Sequence, residues 1–176
     1  ALLVGLIFAI TDPRNGRLYL FTAWIRQAYA TPTRPAWYLV SRSDDGGRHW
    51  SAARRFATGA PAVSHGGPVI RSSPQVPSFA IDGRGTLYTV WQDARLSHGA
   101  HEDILLTRST DGGRHWSAPK RISRLSSGAS IIPTIAARGN GSLAVLYLAL
   151  DANGTGGRYR IATSADGGRH VADSAV

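Results

Sequence analysis

The sequence predicts an all-β fold of three repeated four-stranded antiparallel units, and three observations lead there. One phrase recurs, as SDDGGRHW from Ser43 to Trp50, STDGGRHW from Ser109 to Trp116 and SADGGRHV from Ser164 to Val171. Each copy follows a glycine-rich turn and an alternating strand: DPRNGRLYLFTAW from Asp12, DGRGTLYTVWQD from Asp82 and RGNGSLAVLYLAL from Arg138. No helical periodicity competes in the runs between them, which are rich in apolar and β-forming residues.

In chain order, ALLVGLIFAI opens as a buried strand. It is shorter than the roughly 20 apolar residues of a membrane-spanning helix, and it lacks the basic flank and small-residue cleavage site of a leader. A turn and a second strand follow, then a longer loop and a third run, WYLVSRS, DILLTRS or YRIATS in the three units. The repeated phrase comes next, and then a final strand such as SAARRFA or SAPKRIS. Four antiparallel strands in this order make one β-propeller blade. The repeat serines stand 66 and 55 residues apart, somewhat beyond a usual blade period of about 40 to 50, so loops absorb the difference. The blades are expected at about residues 1–60, 61–127 and 128–176.

The phrase reads as a hairpin turn. Its paired glycines tolerate positive φ. Asp45, Asp111 and Asp166 accept bonds from nearby amides, and Trp50 and Trp116 anchor the far side by burying aromatic area. Ser43, Gly47, Ser109, Gly113, Ser164 and Gly168 complete this structural set. Val171 stands where the third tryptophan would, which predicts a weaker last strand. His49, His115 and His170 recur because the turn recurs, not as a triad.

Composition narrows function. The chain has 176 residues, 43% hydrophobic and 18% charged, and no cysteine, so neither disulfides nor thiolate metal sites are available. The net charge is +9, with Lys120 the only lysine and the arginines scattered from Arg14 to Arg169. No basic run or nucleic-acid-binding motif appears, so nucleic acid is not the expected partner, and no membrane span is expected. Attraction to acidic glycans or anionic surfaces through the net field is reasonable.

At these residues the chain resembles the Asp-box, or BNR, pattern S-x-D-x-G-x-x-W of sialidase-like propellers. The first two copies match throughout, and the stretch TVWQDARLSHGAHEDILLTRSTDGGRHWSAP is most similar to bacterial sialidase-like proteins. The resemblance implies a six-bladed ring, of which three blades are about half. The chain is then expected to be a piece of a longer protein or to self-associate, with further blades or a second copy closing the ring. It also implies a secreted or extracellular protein, a glycan or sialoside ligand, and no cofactor.

Sialidases use a tyrosine nucleophile assisted by a glutamate, an aspartate as acid/base, and three arginines that clamp the substrate carboxylate. The family's arginine-isoleucine-proline motif is not found, IRSSPQVP at Ile70 to Pro77 being a distant echo. Glu102 is the only glutamate. By loop position in the Asp93 to Asp103 connection, Asp93 or Asp103 stands for the acid/base and Arg95 for a carboxylate contact. Against this, Asp93 and Arg95 are the residue types of a turn-stabilising pair. Glu102 in the same loop, with Tyr29 and Trp37 at the insertion RQAYATPTRPAW, are the substrate-binding candidates; a self-packed loop is the other reading of that insertion. Trp24, Trp91 and Tyr147 are expected between blades. His98, His101, Glu102 and Asp103 match no metal motif, so no metal site is assigned. Two functions remain open: an exo-sialidase-type glycoside hydrolase, incomplete as a catalytic unit in this chain, and a non-catalytic propeller binding glycan or protein.

Overall fold

The computed structural model describes residues 3–26, 35–62, 76–125 and 128–176. Within them lie three four-stranded antiparallel sheets, each in plain chain order. Sheet one comprises β1 (Leu3–Thr11), β2 (Leu18–Arg26), β3 (Ala36–Ser43) and β4 (Arg54–Gly59). Sheet two comprises β5 (Ser78–Ile81), β6 (Leu87–Asp93), β7 (Asp103–Ser109) and β8 (Lys120–Arg121). Sheet three comprises β9 (Ser130–Arg138), β10 (Ser142–Leu150), β11 (Gly157–Ser164) and β12 (Ala172–Ala175). First strands stand side by side, β1 by β5 and β5 by β9, as successive blades of a partial β-propeller.

The antiparallel order gives the molecule two ends. The hairpins after the first and third strands of every sheet gather at one, the turn end. Connections after the second strands, and the links between sheets, gather at the other, the loop end. Alternation along each strand aims one face at each neighbouring sheet. Tyr19, Phe21, Val40 and Leu87 form one buried cluster between sheets one and two, and Ala23, Ala36, Tyr38, Trp91 and Leu105 another. Val90, Ile104, Leu106, Ile135, Leu143, Val145 and Tyr147 fill the seam between sheets two and three.

The repeated turns have one hydrogen-bond pattern. The hydroxyls of Ser43, Ser109 and Ser164 donate to Oδ1 of Asp45, Asp111 and Asp166 at 2.8, 2.8 and 2.9 Å, and accept from the amides of Gly47, Gly113 and Gly168 at 2.9 Å. The same Oδ1 accepts the amide of His49, His115 or His170, and Oδ2 lies 2.6 Å from that histidine's Nδ1. The histidine is thus a working part of the turn. The amide and then the imidazole of His49 hold the Asp45 carboxyl down at about 2, and those of His170 hold Asp166 below the usual carboxylate range. Gly46 and Gly47 adopt φ of 72° and 91°, which side chains rarely tolerate.

Three expectations are corrected. Trp50 and Trp116 both donate an indole N–H to the turn, at Gly47 O and Gly113 O. Among the described residues only Trp116 of the two has aromatic area to cover it, stacked on Phe56 at 4.3 Å between centroids; Trp50, on sheet one, is 40% exposed. The length of the last strand does not follow the tryptophan: β12, without it, has four residues, against six in β4 and two in β8. Val171 packs against the core, and the turn bonds close without an indole. Trp24 is 41% exposed, unlike the buried Trp91 and Tyr147. It lies opposite Trp37 on the face of sheet one turned away from sheet two.

Candidate functional site

The loop end of sheet two carries most of the candidate residues. β6 ends at Asp93, a single 3-10 turn spans Arg95–Ser97, and β7 begins at Asp103, directly across the ladder from Asp93. The two aspartates therefore share the face of sheet two that meets sheet one.

Asp93 is 0% exposed and amply bonded. Its Oδ1 accepts the Arg95 amide at 2.9 Å and Arg95 Nε at 2.8 Å. Its Oδ2 accepts the Trp91 indole at 2.8 Å, the Ala60 amide at 3.1 Å and Arg95 Nη2 at 2.7 Å. Arg95 Nη2 also donates to the Thr58 carbonyl. The pair thus staples sheet two to the end of β4. The side-chain hydrogen bonds that Arg95 donates to Asp93 raise the Arg95 pKa, fixing its charge.

Asp103 and Glu102 differ from this. Asp103, 2% exposed, accepts Ser123 Oγ at 3.0 Å on Oδ1, with Arg121 Nε at 3.7 Å, while Oδ2 has no partner. Glu102 is 1% exposed and neither carboxylate oxygen has a hydrogen-bond partner. Its backbone carbonyl accepts the Ser130 amide at 2.8 Å, so it lies where sheets two and three meet. Two further orphans belong to the same seam, Gln92 Nε2 and Ser130 Oγ. Gln92 Oε1 accepts the Ile132 amide across the seam at 3.0 Å. A buried polar group without a partner costs about 1–3 kcal/mol, and more for a charge, so this grouping is not explained by stability.

Beside it β9 departs from regular geometry. Its register with β10 shifts between Leu146 and Leu148, so Ile132 and Pro133 together face Tyr147 in a bulge. Ile132 has a φ of 52°, strained for a β-branched residue, and is 51% exposed. Pro133 in an otherwise strand-like IIPT run was the available signal for the bulge. Gln92, a lone amide in the apolar run TVWQD, was a weaker signal for the orphan row; Ser130 offered none.

Trp37 is 45% exposed and pairs with Trp24 across the ladder, with Arg55 at 5.3 Å over its ring. Tyr29 and residues 70–75 of the IRSSPQVP stretch lie outside the described residues. Among the described residues no group of three or more His, Asp or Glu side chains is placed to hold a metal ion. No described helix is long and apolar enough to cross a membrane. In chemical terms the loop end offers one saturated ion pair, two carboxylates with unpartnered oxygens, and exposed tryptophans of the kind that stack on sugars.

No protein-family profile matches the chain, and no curated protein resembles it in sequence. Solved structures do resemble it. A Hadza microbial sialidase superposes with a TM-score of 0.62 at 20% identity, over 94% of this chain and 36% of that one. A protein of unknown function from Dyadobacter fermentans gives 0.65 at 15% identity, over 98% and 54%. The Penicillium chrysogenum alpha-L-arabinanase complexed with arabinobiose gives 0.51 at 19% identity, over 99% and 48%. The chain therefore spans about a third to a half of these neighbours, and what it shares with them is the propeller fold.

Proposed function

We propose that this chain is a glycan-recognising propeller of the sialidase-like kind, taking a sialylated or otherwise acidic sugar at its loop end. Its three blades, with Asp-box turns, are an incomplete catalytic unit in this reading. The observation that carries it is the buried row of Glu102, Gln92 and Ser130 with unpartnered polar atoms, next to the unpartnered Asp103 Oδ2. Such groups recover their hydrogen bonds from sugar hydroxyls or ordered water. The net charge of +9 draws an acidic ligand in, and Arg95 Nη1 and the outer nitrogens of Arg121 face it at this end in this reading. Asp93, with its bonds filled by the staple, positions Arg95 and does not itself meet the sugar. The reading also sets the protein outside the cytoplasm, where such glycans are displayed.

Ring closure belongs to the same reading. The outward faces of sheets one and three carry exposed Trp24, Trp37, Leu146 and Tyr159, which further blades or a second copy would cover. The exo-sialidase alternative rests on Asp103, whose free Oδ2 suits an acid/base. Isothermal titration with sialyllactose, beside turnover of a fluorogenic sialoside, separates the two. Binding that Glu102→Gln and Asp103→Asn each weaken at least about fivefold, without turnover, is the expected result. Turnover abolished by Asp103→Asn would establish the hydrolase instead, and a folded chain that binds no sialoside would end both readings.

A further inference from the structure

The turn end holds a second charged feature, repeated residue for residue at both seams. A cleft of about 90 Å³ between sheets one and two is lined by Arg42 and Arg54 of sheet one and Arg114 of the next blade's turn, with Gly112 and Gly113 at its floor. A cleft of about 160 Å³ between sheets two and three is lined by Arg108 and Lys120, with Arg169 and the Gly167–Gly168 pair from the next turn. Each position of the first maps onto the second by the repeat itself: Arg42 onto Arg108, Arg54 onto Lys120, Arg114 onto Arg169. Three cations line each cleft and no carboxylate does.

Nearby acids do not compensate. Asp45, Asp111 and Asp166 are held by the serine and histidine of their own turns, Asp12 by Arg14, Asp44 by Arg17 and Asp173 by Arg160. At the second seam a larger hollow of about 320 Å³ adjoins the cleft, sharing Arg108 and Arg169 and adding Arg84. Of its two carboxylates, Asp82 accepts Tyr88 Oη and the Arg84 and Thr86 amides, and Asp166 belongs to its turn. The walls are set by bonds between sheets: Gly83 N to Gly139 O and Gly167 N to Gly141 O, both 2.8 Å, and Arg108 Nη1 to Gly167 O, 2.9 Å.

We propose that these two clefts form a binding track for a linear acidic polysaccharide, each taking one sulfate or carboxylate group. Guanidinium forks suit such groups, and a repeat of sites one blade apart matches a polymer whose charges also repeat. Nucleic acid is disfavoured because no aromatic side chain lines either cleft to stack on a base. The track lies at the opposite end from the loop-end site and does not rest on the reading given for it.

The test measures binding of a fluorescein-labelled heparin oligosaccharide to the full chain by anisotropy across a salt series. Arg42 and Arg54 make no side-chain hydrogen bond or ion pair within the described residues, so Arg42→Gln with Arg54→Gln leaves the fold intact. The expected result is a loss of about tenfold in affinity and a shallower salt dependence. The control pair Arg138→Gln with Arg158→Gln removes the same charge elsewhere and changes binding by less than about twofold. Restoring charge as Arg42→Lys with Arg54→Lys recovers most of the affinity, which a misfolded protein would not do. Equal losses in both glutamine pairs would reduce the effect to net charge and overturn the track. So would failure to bind heparin, or equal affinity for an oligothymidylate of similar length.

Discussion

The two seams of the molecule are built on different principles. Between sheets one and two the packing is aromatic: Phe21 stacks on Phe79 at 4.1 Å, Phe56 on Trp116 at 4.3 Å, and Tyr38 meets Trp91 edge-on at 5.6 Å. One buried aspartate there, Asp93, accepts five hydrogen bonds. Between sheets two and three the packing is mainly aliphatic, and four of the six unpartnered buried polar atoms among the described residues belong to it. The first seam has only Tyr19 Oη and Asp103 Oδ2 unpartnered among the described residues and is held mainly by packing and the Asp93 staple. The second keeps unmet hydrogen bonds and a strained bulge, the features that folded proteins retain where they act.

The largest effect that sharpens this contrast is at the staple. Asp93→Ala leaves Arg95 without its carboxylate and the Trp91 indole without its acceptor, and is expected to cost about 3–5 kcal/mol, read from urea unfolding. Second is a glycine pair that compares a turn backed by a sheet with one that is not. A Cβ on Gly168 would lie 2.2 Å from Leu106 Cδ2, whereas one on Gly47 finds nothing closer than 3.6 Å. Both residues have positive φ, so each alanine variant pays backbone strain of about 1–2 kcal/mol. Gly168→Ala should lose about 1–3 kcal/mol more through overpacking. Equal costs would show that the seam relaxes freely.

A smaller effect, of opposite sign, separates the seams most sharply. Glu102→Gln replaces an unpartnered buried carboxylate with a neutral amide and is expected to leave stability unchanged or raise it by about 1 kcal/mol. A loss as large as that of Asp93→Ala would make Glu102 part of the scaffold and remove the basis of the loop-end reading. The smallest and most gradual effect is with pH. Folding holds Asp45 at about 2, below its ordinary 3.8, so the unfolded chain takes up the proton first as pH falls. The contribution of this turn is therefore complete above about pH 4 and lost as pH drops through about 2. Acid titration of the folded chain followed by NMR of the His49 and Asp45 signals would check it.

The fold was legible because its signal is repetitive and local. The phrase around Ser43, Ser109 and Ser164 names its own hairpin, and the alternating runs before it name the strands that flank it. The site was less legible, because its meaning depends on which sheet each residue meets. Asp93 and Asp103 look alike in a loop sequence, yet the ladder sets them opposite one another with unlike partners: Trp91, Ala60 and Arg95 for one, Ser123 and Arg121 for the other. Gln92 and Ser130 gain significance only from contacts across a seam, which no spacing in the chain encodes. Trp24 illustrates the same limit, since alternation places it on one face of β2 but does not say what stands against that face.

The closed bonding of the serine, aspartate and histidine turn bears on how the chain reaches this state. Each of its hydrogen bonds spans four residues or fewer. The outer hairpin of each blade can therefore form early, on the roughly 1–10 μs scale of isolated hairpins, before contacts between blades exist. Assembly of the seams, which joins residues tens of positions apart, then becomes the slow step. Ser109→Ala should slow folding and leave the unfolding rate nearly unchanged, whereas Phe21→Ala should mainly speed unfolding.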